Sequence, residues 1–95
     1  MRIRKTRQGL RIGDAIVDYS DRPAIQDAAR AVVETDWSKD AGTTPIGERE
    51  PVYENERVIV VPGSRRESVF CYFIVDEDVI EVPDFQFVIK MLQLL

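Results

Sequence analysis

A chain of 95 residues can bury one hydrophobic core but not two, and 44% apolar with 32% charged residues is the balance of a folded globular protein rather than a disordered one. The formal net charge of −4 hides an asymmetry: residues 1–13 hold five basic side chains and no acid, whereas residues 14–95 hold eight basic and seventeen acidic ones. One cysteine and no histidine exclude an intrachain disulfide, the common zinc sites, and the Ser-His and Cys-His nucleophile pairs.

The basic start, Met1-Arg2-Ile3-Arg4-Lys5, is followed by no apolar run of signal-peptide or membrane-span length. The expectation is a single domain over residues 1–95, cytoplasmic, mature from Met1 and without membrane contact. From Arg2 to Arg7 the residues alternate as in a strand, Gln8-Gly9 offers a turn, and Leu10-Arg11-Ile12 resumes the alternation. Gly13-Asp14 marks a second turn, and Ala15, Val17 and Tyr19 read as a further strand, with Asp14 as cap of a short helix the alternative.

A helix is expected from Arg22 to Glu34 or Trp37, capped by Ser20 or Asp21, with Pro23 in the first turn. Ile25, Ala28, Ala29, Val32 and Val33 make its apolar face. The stretch from Ser38 to Pro51 loses periodicity and reads as a long surface loop. Beyond it the pattern predicts an antiparallel meander of strands at Val52 to Val61, Glu67 to Val75 and Val79 to Val82. Asp84 then caps a C-terminal helix with a core stripe of Phe85, Val88, Ile89, Leu92 and Leu95, with a last strand the alternative. Phe87, Met91 and Leu94 fall off that stripe and form a second apolar face, a candidate self-interface for a homodimer unless the long loop covers it. The architecture expected is α+β: an antiparallel sheet of four to five strands, one amphipathic helix on a face, and an apolar C-terminal helix.

Little in the chain carries chemistry. Cys71 lies between Phe70 and Tyr72 and reads as a small core hydrophobe. The acids Asp76, Glu77, Asp78 and Glu81 lack calcium-loop spacing, and Pro62-Gly63-Ser64-Arg65-Arg66 reads as a hairpin turn. No catalytic residue, cofactor or metal is assigned, and the expectation is a protein that is not an enzyme. Two kinds of contact surface remain. Asp36, Asp40, Glu48, Glu50, Glu54 and Glu56 gather on the long loop and the strand after it, a candidate protein-binding face. Arg2, Arg4, Lys5 and Arg7, with Arg11 beyond them and Arg65 and Arg66 in the turn, are candidates for phosphate contact, but without interleaved aromatic residues any nucleic-acid contact would be electrostatic and weak.

The acidic face is similar in character to the surfaces with which small phage inhibitors, some anti-CRISPR proteins among them, imitate phosphates in a basic groove. That likeness implies a non-enzymatic inhibitor or regulator, of phage or mobile-element type, docked on a nucleic-acid-handling protein. Separately, the stretch Val58 to Val82, with its Arg65-Arg66 turn, aromatic strand and acidic turn, resembles the C-terminal meander of RelE/ParE-type toxins. That resemblance implies an RNA- or ribosome-directed role as the alternative, but Phe85 to Leu95 offers only Lys90 where such toxins carry Arg, His or Tyr. A self-associating structural subunit is the third reading.

Overall fold

The computed structural model of the chain describes residues 3–35 and 41–95. Strands β1 (Ile3–Lys5), β2 (Gly9–Ile12) and β3 (Ala15–Asp18) form a three-stranded antiparallel sheet in that order. The alternation read from the sequence is the one the sheet uses: Ile3, Leu10, Ile12 and Val17 are buried on one side. Gly13 and Asp14 alone connect Ile12 to its partner Ala15, and Gly13 takes the positive φ of 59° that so short a hairpin requires.

A 3-10 turn at Tyr19–Asp21 leads into α1 (Arg22–Glu34), with Pro23 in the first turn as expected. Ile25, Ala28, Ala29 and Val32 are buried, but Val33 is exposed, so the apolar face is narrower than the sequence suggested. Asp21 stands at the N-cap without capping the helix through its side chain, because its carboxylate is held by Arg57.

The second sheet has four antiparallel strands in sequence order: β4 (Tyr53–Glu54), β5 (Val58–Pro62), β6 (Cys71–Val75) and β7 (Asp78–Val82). The α+β class, the antiparallel meander and both helices are as expected, while the described strands number seven and divide between two sheets. Two of the expected strands are shorter for local reasons. Asn55 breaks the run from Val52 to Val61, because its Oδ1 accepts from the backbone N–H of Arg57 (2.9 Å) and Val58 (2.8 Å) and turns the chain into a hairpin. Glu67 and Ser68 belong to turns rather than to β6: the Ser64 N–H donates to Glu67 Oε1 (3.0 Å), the Glu67 N–H donates to the Ser64 carbonyl (3.1 Å), and Ser68 has a φ of 55°.

Helix α2 (Phe85–Leu94) starts at Asp84, whose Oδ1 accepts from the Phe87 N–H (2.8 Å). Its buried residues are Phe87, Val88 and Met91, and Phe85 is 40% exposed, edge-on to Phe70 with ring centroids 6.1 Å apart. The buried arc is therefore turned toward Met91 relative to the expected stripe. The reason is that α2 packs against α1, β1 and β7 at once, so the supposed second face finds its partner inside the same chain. Phe87 and Met91 are core residues, which removes these two as an exposed self-interface, while Leu94 is half-buried against the same core. Residues from both sheets and both helices share that core. Among the described residues no helix is long and apolar enough to cross a membrane.

Two glycines admit no side chain: a Cβ at Gly9 would meet the Val17 carbonyl, and Gly63 donates to the Phe70 carbonyl (3.0 Å) so closely that a Cβ would fall inside the Val69 carbonyl group. Gly47, by contrast, faces open space. Gly63→Ala is expected to lower stability by about 2 to 3 kcal/mol, and Gly47→Ala to leave it nearly unchanged, in denaturant unfolding of the two variants.

Candidate functional site

The two faces of the four-stranded sheet differ. Val58, Val60, Cys71, Phe73, Val75, Ile80 and Val82 face the core, so Ile59, Val61, Tyr72, Ile74, Val79 and Glu81 alternate onto the outer face. One end of this outer face is closed by Arg49, a residue that sequence reasoning passed over as part of a polar loop. Its side chain is only 4% exposed and its guanidinium lies over the Tyr72 ring, 5.7 Å from the centroid. Nε–H donates to the Thr44 carbonyl (2.8 Å), Nη1 to the Pro62 carbonyl (3.0 Å) and Glu67 Oε1 (2.9 Å), and Nη2 to Glu67 Oε2 (2.9 Å). This bidentate pair ties the loop before β4, the end of β5 and the turn before β6 to one charge. Tyr72 is buried beneath it, and its cross-strand neighbour Val61 is buried as well.

The other end of the outer face is open. Glu54, Ile59, Ile74 and Val79 are successive cross-strand partners on β4, β5, β6 and β7, so they form one row across all four strands. Ile59 and Ile74 are half-buried and Val79 is 50% exposed. Acids border this row. Glu54 lies in the row itself and Glu56 between β4 and β5, both exposed, Glu77 and Asp78 stand at the β6–β7 turn, and Glu81, on β7, is the cross-strand partner of Tyr72; Glu48 and Glu50 are exposed too, but flank Arg49 in the chain, beside the clamp. Two positions expected in this cluster, Asp36 and Asp40, lie outside the described residues. Arg57, between β4 and β5, is already engaged: Nε donates to Asp21 Oδ1 (2.6 Å), and Nη2 to Asp21 Oδ2 (3.2 Å) and Asp76 Oδ2 (3.1 Å). The Asn55 amide adds a bond to the Ala24 carbonyl (3.1 Å), which fixes this end of the sheet to the start of α1.

The basic residues separate into two places. Arg4 and Arg11 are direct cross-strand partners on the outer face of the first sheet, with Ile16, 45% exposed, next in the row on β3. Lys5 and Arg7 are exposed nearby, at the end of β1 and in the hairpin loop; Arg2 lies outside the described residues. Arg65 and Arg66 are exposed on the loop between β5 and β6, in a different part of the chain. The pairing of Arg4 with Arg11, and the exposure of Ile16 beside them, could not be read from spacing alone, because they depend on the register of three strands.

Cys71 is fully buried and burial pushes its thiol up to about 12, so at neutral pH it is a protonated core residue. Among the described residues no group of three or more Cys, Asp or Glu is arranged to hold a metal ion.

The Arg49 clamp is the part of this site with a measurable energetic signature. Arg49→Ala is expected to cost about 3 kcal/mol, since it leaves the loop without its anchor, and Arg49→Lys is expected to recover little because an ammonium lacks the two-pronged fork. Hydrogen bonds from Arg49 hold the Glu67 carboxyl below its ordinary value of 4.5. A carboxyl depressed by folding contributes stability that is complete above its unfolded value and is lost as pH falls through the folded one. Glu67→Gln is therefore expected to be less stable at neutral pH and to show a shallower loss below pH 4.5, in thermal melts across an acid series.

In comparisons with known proteins the chain matches no family model, no curated protein and no solved structure, so the reading of its role rests on these surfaces.

Proposed function

We propose that the protein is a non-enzymatic binding module whose acid-bordered sheet face docks on a basic surface of another protein, in the manner of a small inhibitor or regulator of a nucleic-acid-handling protein. The observation that carries this reading is the row Glu54, Ile59, Ile74 and Val79, open across four strands and surrounded by exposed acids. An apolar centre within a polar rim is the usual anatomy of a protein interface. The acids supply attraction at long range, and the aliphatic centre supplies the area that must leave water. The Arg49 clamp supports the reading physically, because it closes one end of the face and presents the other on a sheet whose backbone is already paired.

A partner with a phosphate-binding groove is the natural complement, since Glu48, Glu50, Glu54 and Glu56 are all exposed within nine residues of chain and Glu77, Asp78 and Glu81 add exposed acids on the far side of the sheet. The test is affinity capture of host proteins on the immobilised protein, after nuclease treatment, across a salt series and with added duplex DNA as competitor. The expected result is a stoichiometric protein that is released both by salt and by DNA. It is lost when Glu48, Glu50, Glu54 and Glu56 are reversed to Lys, with the melting temperature changed little. Capture that is indifferent to the four reversals ends the proposal. Recovery of ribosomes or RNA only when nuclease is omitted, abolished by Arg65→Ala with Arg66→Ala, replaces it with the RNA-directed alternative.

A further inference from the structure

The outer face of the three-stranded sheet breaks a local rule without a visible local reason. Like charges directly opposite one another on adjacent strands are destabilising, yet Arg4 faces Arg11 across β1 and β2. Among the described residues neither makes an ion pair; Arg11 only donates from Nε to the Gly13 carbonyl (3.3 Å). The same row ends in Ile16, a β-branched side chain 45% exposed to water. Two uncompensated guanidiniums beside an exposed aliphatic group match, in reverse sign, the acid-bordered aliphatic row of the other sheet. The two outer faces cannot meet within one chain, because both sheets turn their inner faces to the same core.

We infer that the Arg4, Arg11 and Ile16 face of one copy binds the Glu54, Ile59, Ile74, Val79 and Glu81 face of a second copy, giving head-to-tail self-association. A polyanion is the less favoured occupant on two grounds. Residues 14–95 carry seventeen acids against eight bases and repel it, and Ile16 has no use against phosphate. A second copy offers carboxylates to the arginines and aliphatic surface to Ile16. Such a contact is heterologous: it uses two different patches, so each added copy leaves one of each free, until a ring closes or the assembly grows. The inference rests on the docking role of the acidic face, and it makes the basic face a competitor for that site, displaced when a basic partner binds.

The test is the solution mass of the chain by light scattering at high protein concentration, at about 0.01 M ionic strength, where charges act over roughly 30 Å, and at about 1 M, where they act over roughly 3 Å. The expected result is a mass at least twice the monomer's at low salt that returns to the monomer's at high salt. Arg4→Gln with Arg11→Gln, and separately Glu54→Gln with Glu81→Gln, should each be monomeric at low salt. An equimolar mixture of the two variants should restore one species of twice the monomer mass and nothing larger, since each keeps the face the other lacks. A monomeric wild type, association that persists in either variant alone, or a mixture that stays monomeric overturns the inference. Retained capture of a foreign partner by the Arg4→Gln, Arg11→Gln variant separates failure here from failure of the docking reading.

Discussion

A buried guanidinium organises the four-stranded sheet and the loop that leads into it. Arg49 is removed from water almost completely, and a charge so placed is tolerated only when its hydrogen-bonding capacity is met. Glu67, Thr44 and Pro62 meet it from three separate segments, and the Tyr72 ring lies under its face. None of these segments is regular structure where it touches Arg49, apart from the end of β5. The clamp thus holds an irregular loop against a sheet where no periodic apolar pattern could hold it. The division of the outer face into a closed end at Val61 and Tyr72 and an open end at Ile59, Ile74 and Val79 follows from where this charge is seated.

A second arginine performs the same task at the opposite end of the sheet. Arg57 joins the β4–β5 turn to Asp21, ahead of α1, and to Asp76, in the β6–β7 turn. Together with the Asn55 amide on the Ala24 carbonyl, it attaches the helix layer to the turns of the sheet by directional bonds, while the core attaches them by area. Both arginines are consumed by structure. The acids around the open row consequently have no local counter-charge from these two residues, and the face stays acidic although the chain holds thirteen basic side chains.

The charge asymmetry of the sequence has a spatial meaning as well. The basic N-terminal strip becomes one face of a small sheet, and the acidic remainder borders one face of another, with a shared apolar core between the two inner faces. Each outer face also carries exposed aliphatic side chains, Ile16 on one and Val79 on the other. Charge sets direction and range in such a molecule, and aliphatic area adds the part of the contact that salt does not screen. The same pairing of features is what the proposed capture of a basic partner and the inferred association of copies both draw on.

By itself the sequence determined what depends on near neighbours. Strand alternation at Ile3 and Leu10 to Ile12, the start of α1 with Pro23, the cap at Asp84, the core placement of Cys71 and the meander from Val58 to Val82 are all set by short-range period and turn chemistry. The tertiary structure decided everything that depends on which segments meet. Arg49 became an anchor only because Glu67, eighteen residues on, folds back to it. Asp21 lost its capping role to Arg57, thirty-six residues away. Phe87 and Met91 left the surface because α1, β1 and β7 converge on α2, and Arg4 met Arg11 only through strand register. Local pattern reports which face of an element is apolar, but the identity of what covers that face is a property of the assembled chain.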